Sequence, residues 1–196
     1  MQRHYLQSVD IREAMVAGRL LDVHRSASVL AADDWSPELR RDYAPYVTAL
    51  RDRARAVAAA PSLAESVTAL GAMGEACADC HRRSGGPGSN LPPTILQGYD
   101  PAMVEHAAAA DALWQGLVGP SDALWTAGAR TLVDAPALDS EAPDVAAAAR
   151  QLRAEAQRAL SAPPGKRASV LADVLLTCAS CHEALGAELP RPAFYR

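Results

Sequence analysis

The chain has 196 residues, enough for one domain or two small ones, and its 49% hydrophobic content suffices for a buried core. The formal net charge is −4, there is a single lysine, and the arginines are interleaved with acidic residues, so nucleic-acid binding is not expected. No run of 18 apolar residues occurs, and we therefore predict no transmembrane helix.

The first part of the chain predicts four helices. Its abundant alanine favours helix over strand, and glycine and proline residues divide the helical stretches. The predicted helices span residues 2–16, 20–32, 37–60 and 62–80. Their short connections predict antiparallel neighbours, and so an up-down-up-down bundle.

The same pattern then occurs a second time. Leu30, Leu50 and Pro61 recur at an offset of 102 as Leu132, Leu152 and Pro163. The second set of predicted helices spans residues 101–117, 121–133, 143–160 and 166–181. We therefore predict an all-α fold of two tandem four-helix bundles, at residues 1–83 and 101–187. A Gly/Pro-rich linker at 84–100 joins them, and a tail follows at 188–196.

Each predicted bundle ends in a Cys-x-x-Cys-His motif, and the two motifs use all four cysteines of the chain. The motifs are Cys77, Cys80 and His81 in the first copy and Cys178, Cys181 and His182 in the second. Two thiols one helical turn apart can each add to one vinyl group of a haem, and the histidine that follows can bind the iron. The sequence therefore predicts two covalently attached c-type haems.

Other uses of the cysteines fit less well. A four-thiolate zinc site does not need a histidine after each pair, and the two pairs lie about a hundred residues apart. A thioredoxin-like redox pair would need a βαβ context, which the pattern lacks. Because this kind of haem attachment takes place outside the cytoplasm, we expect a periplasmic or otherwise extracytoplasmic protein. The chain shows no signal peptide, and we expect one to have been removed.

A second iron ligand is suggested by the first helix of each copy. His4 and His106 recur on the apolar stripe that faces the bundle core. The start of the first helix should lie level with the end of the last, so both histidines are candidate distal ligands. Met1 and Met103, one turn earlier on the same stripe, are the alternatives, and an open five-coordinate iron remains a third possibility.

A four-helix bundle with Cys-x-x-Cys-His at the end of its last helix resembles the class II c-type cytochromes, of the cytochrome c prime type. The pattern of helix 1, Met1-x-x-His4-Tyr5 followed by Ile11-Arg12-x-Ala14-Met15-Val16-x-Gly18, also resembles small bundle cytochromes. In that family, members with a small apolar distal residue bind gases, and members with a distal ligand transfer electrons. This chain departs from the gas-binding pattern through His4 and His106. Its second copy also has Glu183 where the family usually has a basic residue soon after the haem histidine.

These observations predict a dihaem cytochrome that carries electrons and is not an enzyme. Its expected partners are redox proteins or a larger electron-transfer complex, and the alanine-rich helix faces could support a homodimer. The alternative is an NO- or CO-binding haem sensor or carrier with at least one five-coordinate iron. A dihaem peroxidase fits less well, because neither copy offers an obvious set of distal acid and base groups.

Overall fold

A computed structural model describes residues 2–86, 101–135 and 142–187. Within these ranges all regular secondary structure is helical, so the predicted all-α class is confirmed. Met1, linker residues 87–100 and the predicted tail at 188–196 lie outside the described residues, as do residues 136–141.

The first copy contains five helices rather than four. They are α1 (Gln2–Val16), α2 (Leu20–Ala32), α3 (Pro37–Asp42), α4 (Ala44–Ala59) and α5 (Leu63–Ser84). The single helix predicted over residues 37–60 is interrupted at Tyr43, which has φ −130° and ψ 25°. Pro45 accounts for the break, because it has no N–H to donate and its ring crowds the preceding turn.

In the described residues of the second copy, four α-helices repeat this arrangement. They are α6 (Pro101–Val118), α7 (Asp122–Asp134), α8 (Pro143–Ser161) and α9 (Arg167–Leu185), with a 3₁₀ turn at Pro164–Lys166. Both last helices extend beyond their predicted ends and stop at a left-handed glycine, Gly85 with φ 68° and Gly186 with φ 59°. Each Cys-x-x-Cys-His motif therefore lies within a helix, in its last turns.

The helices pack in chain order within each copy, and the two copies share one core. Helix α5 packs against α9 and α6, and α1 packs against α9. One continuous cluster of buried apolar residues runs through both copies. Two glycines of α5 allow this close approach. A Cβ at Gly71 would lie 2.8 Å from the Ala168 carbonyl oxygen, and one at Gly74 would lie 2.6 Å from Leu117 Cδ2.

A buried charge cluster connects the first helices of the two copies. Arg12 of α1 is 1% exposed, and its Nη1 donates to Asp111 Oδ1 of α6 at 2.5 Å. Its Nη2 donates to Glu13 Oε1 at 2.5 Å, and Gln115 Nε2 donates to Asp111 Oδ2 at 2.8 Å. Burial alone would lower the pKa of Arg12, but Glu13 and Asp111 raise it above its usual value, so the guanidinium stays charged.

The stretch Pro164–Leu185 is long and apolar enough to cross a membrane, judged by length and composition alone. The apolar side chains of Leu171, Val174 and Leu175 are buried, and α9 packs against α5 and α8. A core helix of this composition passes the same test, so the stretch is weak evidence for a membrane span.

A buried aspartate of α1 predicts pH-dependent stability. Asp10 is 8% exposed, and its Oδ1 has no hydrogen-bond partner among the described residues. Burial, and then the charge of Glu13, raises the pKa of Asp10 to about 6. The folded state therefore holds this proton more tightly than the unfolded state. The carboxylate lowers stability above about pH 6, and this cost is removed as the pH falls towards about 4.

We expect Asp10→Asn to raise the free energy of unfolding by about 1–3 kcal/mol at pH ~7.5 and to change it little at pH ~4. Urea denaturation of both proteins at the two pH values measures this difference. The control is Asp52→Asn on α4, where the side chain is 62% exposed, and its effect should stay within about 0.5 kcal/mol. An equal increase in the free energy of unfolding at both pH values would contradict the raised pKa of Asp10.

Candidate haem sites

The second Cys-x-x-Cys-His motif lines a cavity of about 770 Å³ that is open to solvent. Cofactor pockets in proteins are mostly apolar. The wall residues come from α1, α6, α8 and α9: Glu13, Val16, Met103, His106, Ala107, Ala110, Ala148, Ala149, Leu152, Thr177, Cys178, Cys181 and His182. One cavity thus brings together the predicted attachment cysteines, the predicted proximal histidine and both candidate distal ligands of the second copy.

His106 and His182 are close enough to interact electrostatically. Burial lowers the pKa of His106, and the charge of His182 lowers it further, while Glu105 acts in the opposite direction. A neutral imidazole keeps the lone pair that a metal ligand needs. Ala110 follows His106 one turn later and also lines the cavity, so a small side chain leaves space beside the ring.

In the first copy, His4 lies close enough to the motif histidine His81 to interact with it electrostatically. Burial lowers the pKa of His4 to about 4, with further contributions from the positive charges of the amino terminus and of His81. The ring of His4 also packs against Trp35, with the ring centroids 4.6 Å apart and an interplanar angle of 33°. His4 is therefore held in its neutral form near the first motif. The alternative ligand Met1 lies outside the described residues.

The four cysteines are free in the structure. Burial raises the pKa of Cys77 and of Cys178 to about 12, and it also raises the pKa of Cys80 and of Cys181. A thioether bond forms by net addition of the S–H group across a vinyl group, whereas zinc binds cysteine as the thiolate. Within the described residues, which include all four cysteines, no group of three or more His, Cys, Asp and Glu side chains is arranged to hold a metal ion. The four cysteines are therefore not gathered into a single four-thiolate group within the described residues.

Both motif histidines are oriented by a backbone carbonyl. His81 Nδ1 lies 2.7 Å from the Val118 carbonyl oxygen, and His182 Nδ1 lies 2.9 Å from the Val16 carbonyl oxygen. A carbonyl oxygen can only accept, so each Nδ1 carries the proton. The other ring nitrogen, Nε2, is then left with its lone pair, and this is the tautomer that an iron ligand requires.

Basic side chains lie beside the second site. A second cavity of about 900 Å³ shares His106, Ala149 and Leu152 with the first and is also lined by Arg150 and Arg153. Arginine is well suited to bind carboxylates such as the propionates of a haem. The sequence singled out neither of these arginines.

The carbonyl partners of the histidines and the position of Glu13 in the cavity at the second motif were not predicted from the sequence. The repeat offered one signal, because Val16 and Val118 are equivalent at the offset of 102 and both end a first helix. Arg12 and Asp111 are not equivalent in the repeat, so no pattern predicted their contact. Comparison with known proteins adds no assignment, because no protein-family profile, curated protein or solved structure matches the chain.

Proposed function

We propose that the chain is a dihaem c-type cytochrome that carries electrons, built from two quasi-equivalent helical units. The observation that carries this proposal is the cavity at the second motif, which His106, His182, Cys178 and Cys181 line together. The residues fit a haem by their chemistry, since paired thiols, a proton-fixed imidazole and a second neutral imidazole surround an apolar space. Neither a zinc site nor a disulfide scaffold would need this combination.

The protein residues have distinct roles in this proposal. Cys77, Cys80, Cys178 and Cys181 anchor the two haems through thioether bonds, and His81 and His182 bind the irons on the proximal side. His4 and His106 complete the coordination on the distal side. When bound, the haem supplies one-electron redox chemistry, and the protein sets its potential through axial ligands, burial and nearby charge.

Two protein ligands on each iron favour electron transfer over ligand binding. With both axial positions filled, little has to rearrange when the charge of the iron changes, and no position is open for a gas or a peroxide. Attachment outside the cytoplasm and redox proteins as partners follow from the same proposal. The gas-binding alternative requires at least one iron without His4 or His106.

The proposal is tested by producing the protein with an export signal in a host that attaches haem to Cys-x-x-Cys-His motifs, followed by mass spectrometry. We expect the intact mass to increase by two haems. The double variant Cys178→Ala and Cys181→Ala should gain one haem, and so should the matched variant Cys77→Ala and Cys80→Ala. Wild-type protein without added mass under conditions that load a known c-type cytochrome would contradict the proposal.

A further inference from the structure

Each motif histidine is held by the opposite copy of the repeat. His81 belongs to α5 in the first copy. It donates a hydrogen bond to the carbonyl of Val118, at the end of α6 in the second copy. His182 belongs to α9 in the second copy and bonds the carbonyl of Val16, at the end of α1 in the first. The two bonds are equivalent under the repeat, so the exchange between copies is reciprocal.

The ends of α1 and α6 leave these carbonyls available. The last four carbonyls of a helix have no partner within the helix and must find one elsewhere. At the end of α1, the amides of Ala17, Gly18 and Arg19 donate to the carbonyls of Glu13, Met15 and Ala14, respectively. The carbonyl of Val16 follows these along the chain, and the imidazole of His182 donates a hydrogen bond to it at 2.9 Å.

The end of α6 is closed in a similar way. The amide of Gly119 donates to the Gln115 carbonyl, and that of Ser121 donates to the Gly116 carbonyl. The amide of Ser121 thus does not serve Val118, and the carbonyl of Val118 accepts from His81 at 2.7 Å.

The same two helices carry the candidate distal ligands. Val16 follows His4 by twelve residues on α1, and Val118 follows His106 by twelve residues on α6. At 1.5 Å per residue, each helix spans about 18 Å between these two points. Glu13 and Val16 of α1 also line the cavity at the second motif, so the first copy forms part of the wall of the second site.

We propose that each haem is held jointly by both copies, with its proximal histidine positioned by the carbonyl that ends the first helix of the opposite copy. This proposal rests on the haem attachment proposed above. Hydrogen-bond donation from Nδ1 makes the ligating nitrogen more basic and favours oxidised iron. A disturbance at the end of α1 therefore raises the potential of the second haem and leaves that of the first unchanged.

Gly18 offers a way to move the Val16 carbonyl. It closes α1 with φ 67°, a conformation in which a β-branched residue is strained, and a Cβ there would meet nothing within 4 Å. Gly18→Val therefore changes the helix end through its backbone without a steric clash. Gly85 is the matched control, since it closes α5 with φ 68° and is equally open, but it lies beside His81 of the first site.

Redox titration of the haem-loaded variants gives the reduction potential of each haem and so tests the proposal. His106→Met should raise the potential of the second haem and thereby identifies it. We expect Gly18→Val to raise the potential of the second haem and Gly85→Val to leave that potential unchanged. In ¹⁵N-histidine NMR spectra of the reduced protein, Gly18→Val should also remove the exchange protection of the His182 Nδ1–H. If Gly18→Val does not fold, two other variants serve the same purpose. Gly18→Ala, and separately the replacement of His182 by Nδ1-methylhistidine, should each raise the potential of the second haem.

Three outcomes would overturn this inference. The first is an unchanged potential of the second haem in Gly18→Val, and the second is a shift of only the first haem's potential in that variant. The third is an equal shift of the second haem's potential in Gly18→Val and Gly85→Val. Each of them leaves the proposed function intact, provided that wild-type protein carries two haems. Wild-type protein without covalent haem would instead mean that the proposed function itself has failed.

Discussion

His106→Ala is expected to open one iron per chain to carbon monoxide, whereas the wild-type protein should bind none. His106 and His182 line the same cavity at the second motif, and burial lowers the pKa of His106, which favours the neutral form that the proposed iron needs. Without that ring, the sixth position of the second haem is left to solvent or an added ligand. CO titration of the reduced protein, followed by its optical spectrum, counts the open irons.

Matched variants make this result specific. His4→Ala should also open one iron, and the double variant should open two. His24→Ala should open none, because the Nε2 of His24 lies 2.9 Å from the Ala60 carbonyl oxygen and that ring has a structural partner. If wild-type protein and His106→Ala both showed the absorption band of methionine ligation and neither bound CO, Met103 rather than His106 would be the ligand at this site.

Arg12→Met is expected to lower the free energy of unfolding by about 3–5 kcal/mol. The substitution keeps much of the side-chain volume but leaves Asp111, which is 5% exposed, without the cation that compensates its charge. An unpaired buried carboxylate is among the most destabilising single changes in a core. Because Arg12 and Asp111 belong to different copies, the loss should also weaken the packing of one copy on the other.

A double-mutant cycle separates the charge effect from packing. Arg12→Met combined with Asp111→Leu removes both charges, and we expect the double variant to recover most of the lost stability. The repeat gives a reason, since the position equivalent to Arg12 holds the fully buried Trp114, so this part of the first helix accommodates a large apolar side chain. Chemical denaturation of the four proteins measures the cycle. A single variant within about 1 kcal/mol of wild type would contradict the account.

The helices were predictable because glycine and proline residues mark the turns between them. Gly18, Pro61 and Pro163 mark turns, and the predicted start of α1 and of α6 agrees with the structure. Where the prediction differed, the local reason is simple. Pro45 splits one predicted helix in two, and the last helices continue to Gly85 and Gly186 because only a left-handed residue ends them.

The relation between the copies could not be predicted from the sequence. A linker rich in glycine and proline suggests two separate units, yet α5 packs on α9 and the core is continuous. The close approach depends on Gly71 and Gly74, whose missing side chains look like weak points of a helix rather than contact sites in a one-dimensional pattern. The bonds from His81 and His182 likewise involve backbone carbonyls, which every residue possesses and no motif records.

The most direct test of the central claim is the electron paramagnetic resonance spectrum of the oxidised, haem-loaded protein, recorded with the optical spectrum of the reduced protein under CO. Two histidines on each iron predict low-spin signals that account for both haems, no absorption band from methionine ligation, and no change on adding CO. A high-spin signal from either haem, together with a CO-induced shift, would contradict the account. That iron would then lack its distal histidine, and the protein would belong among the gas-binding haem proteins.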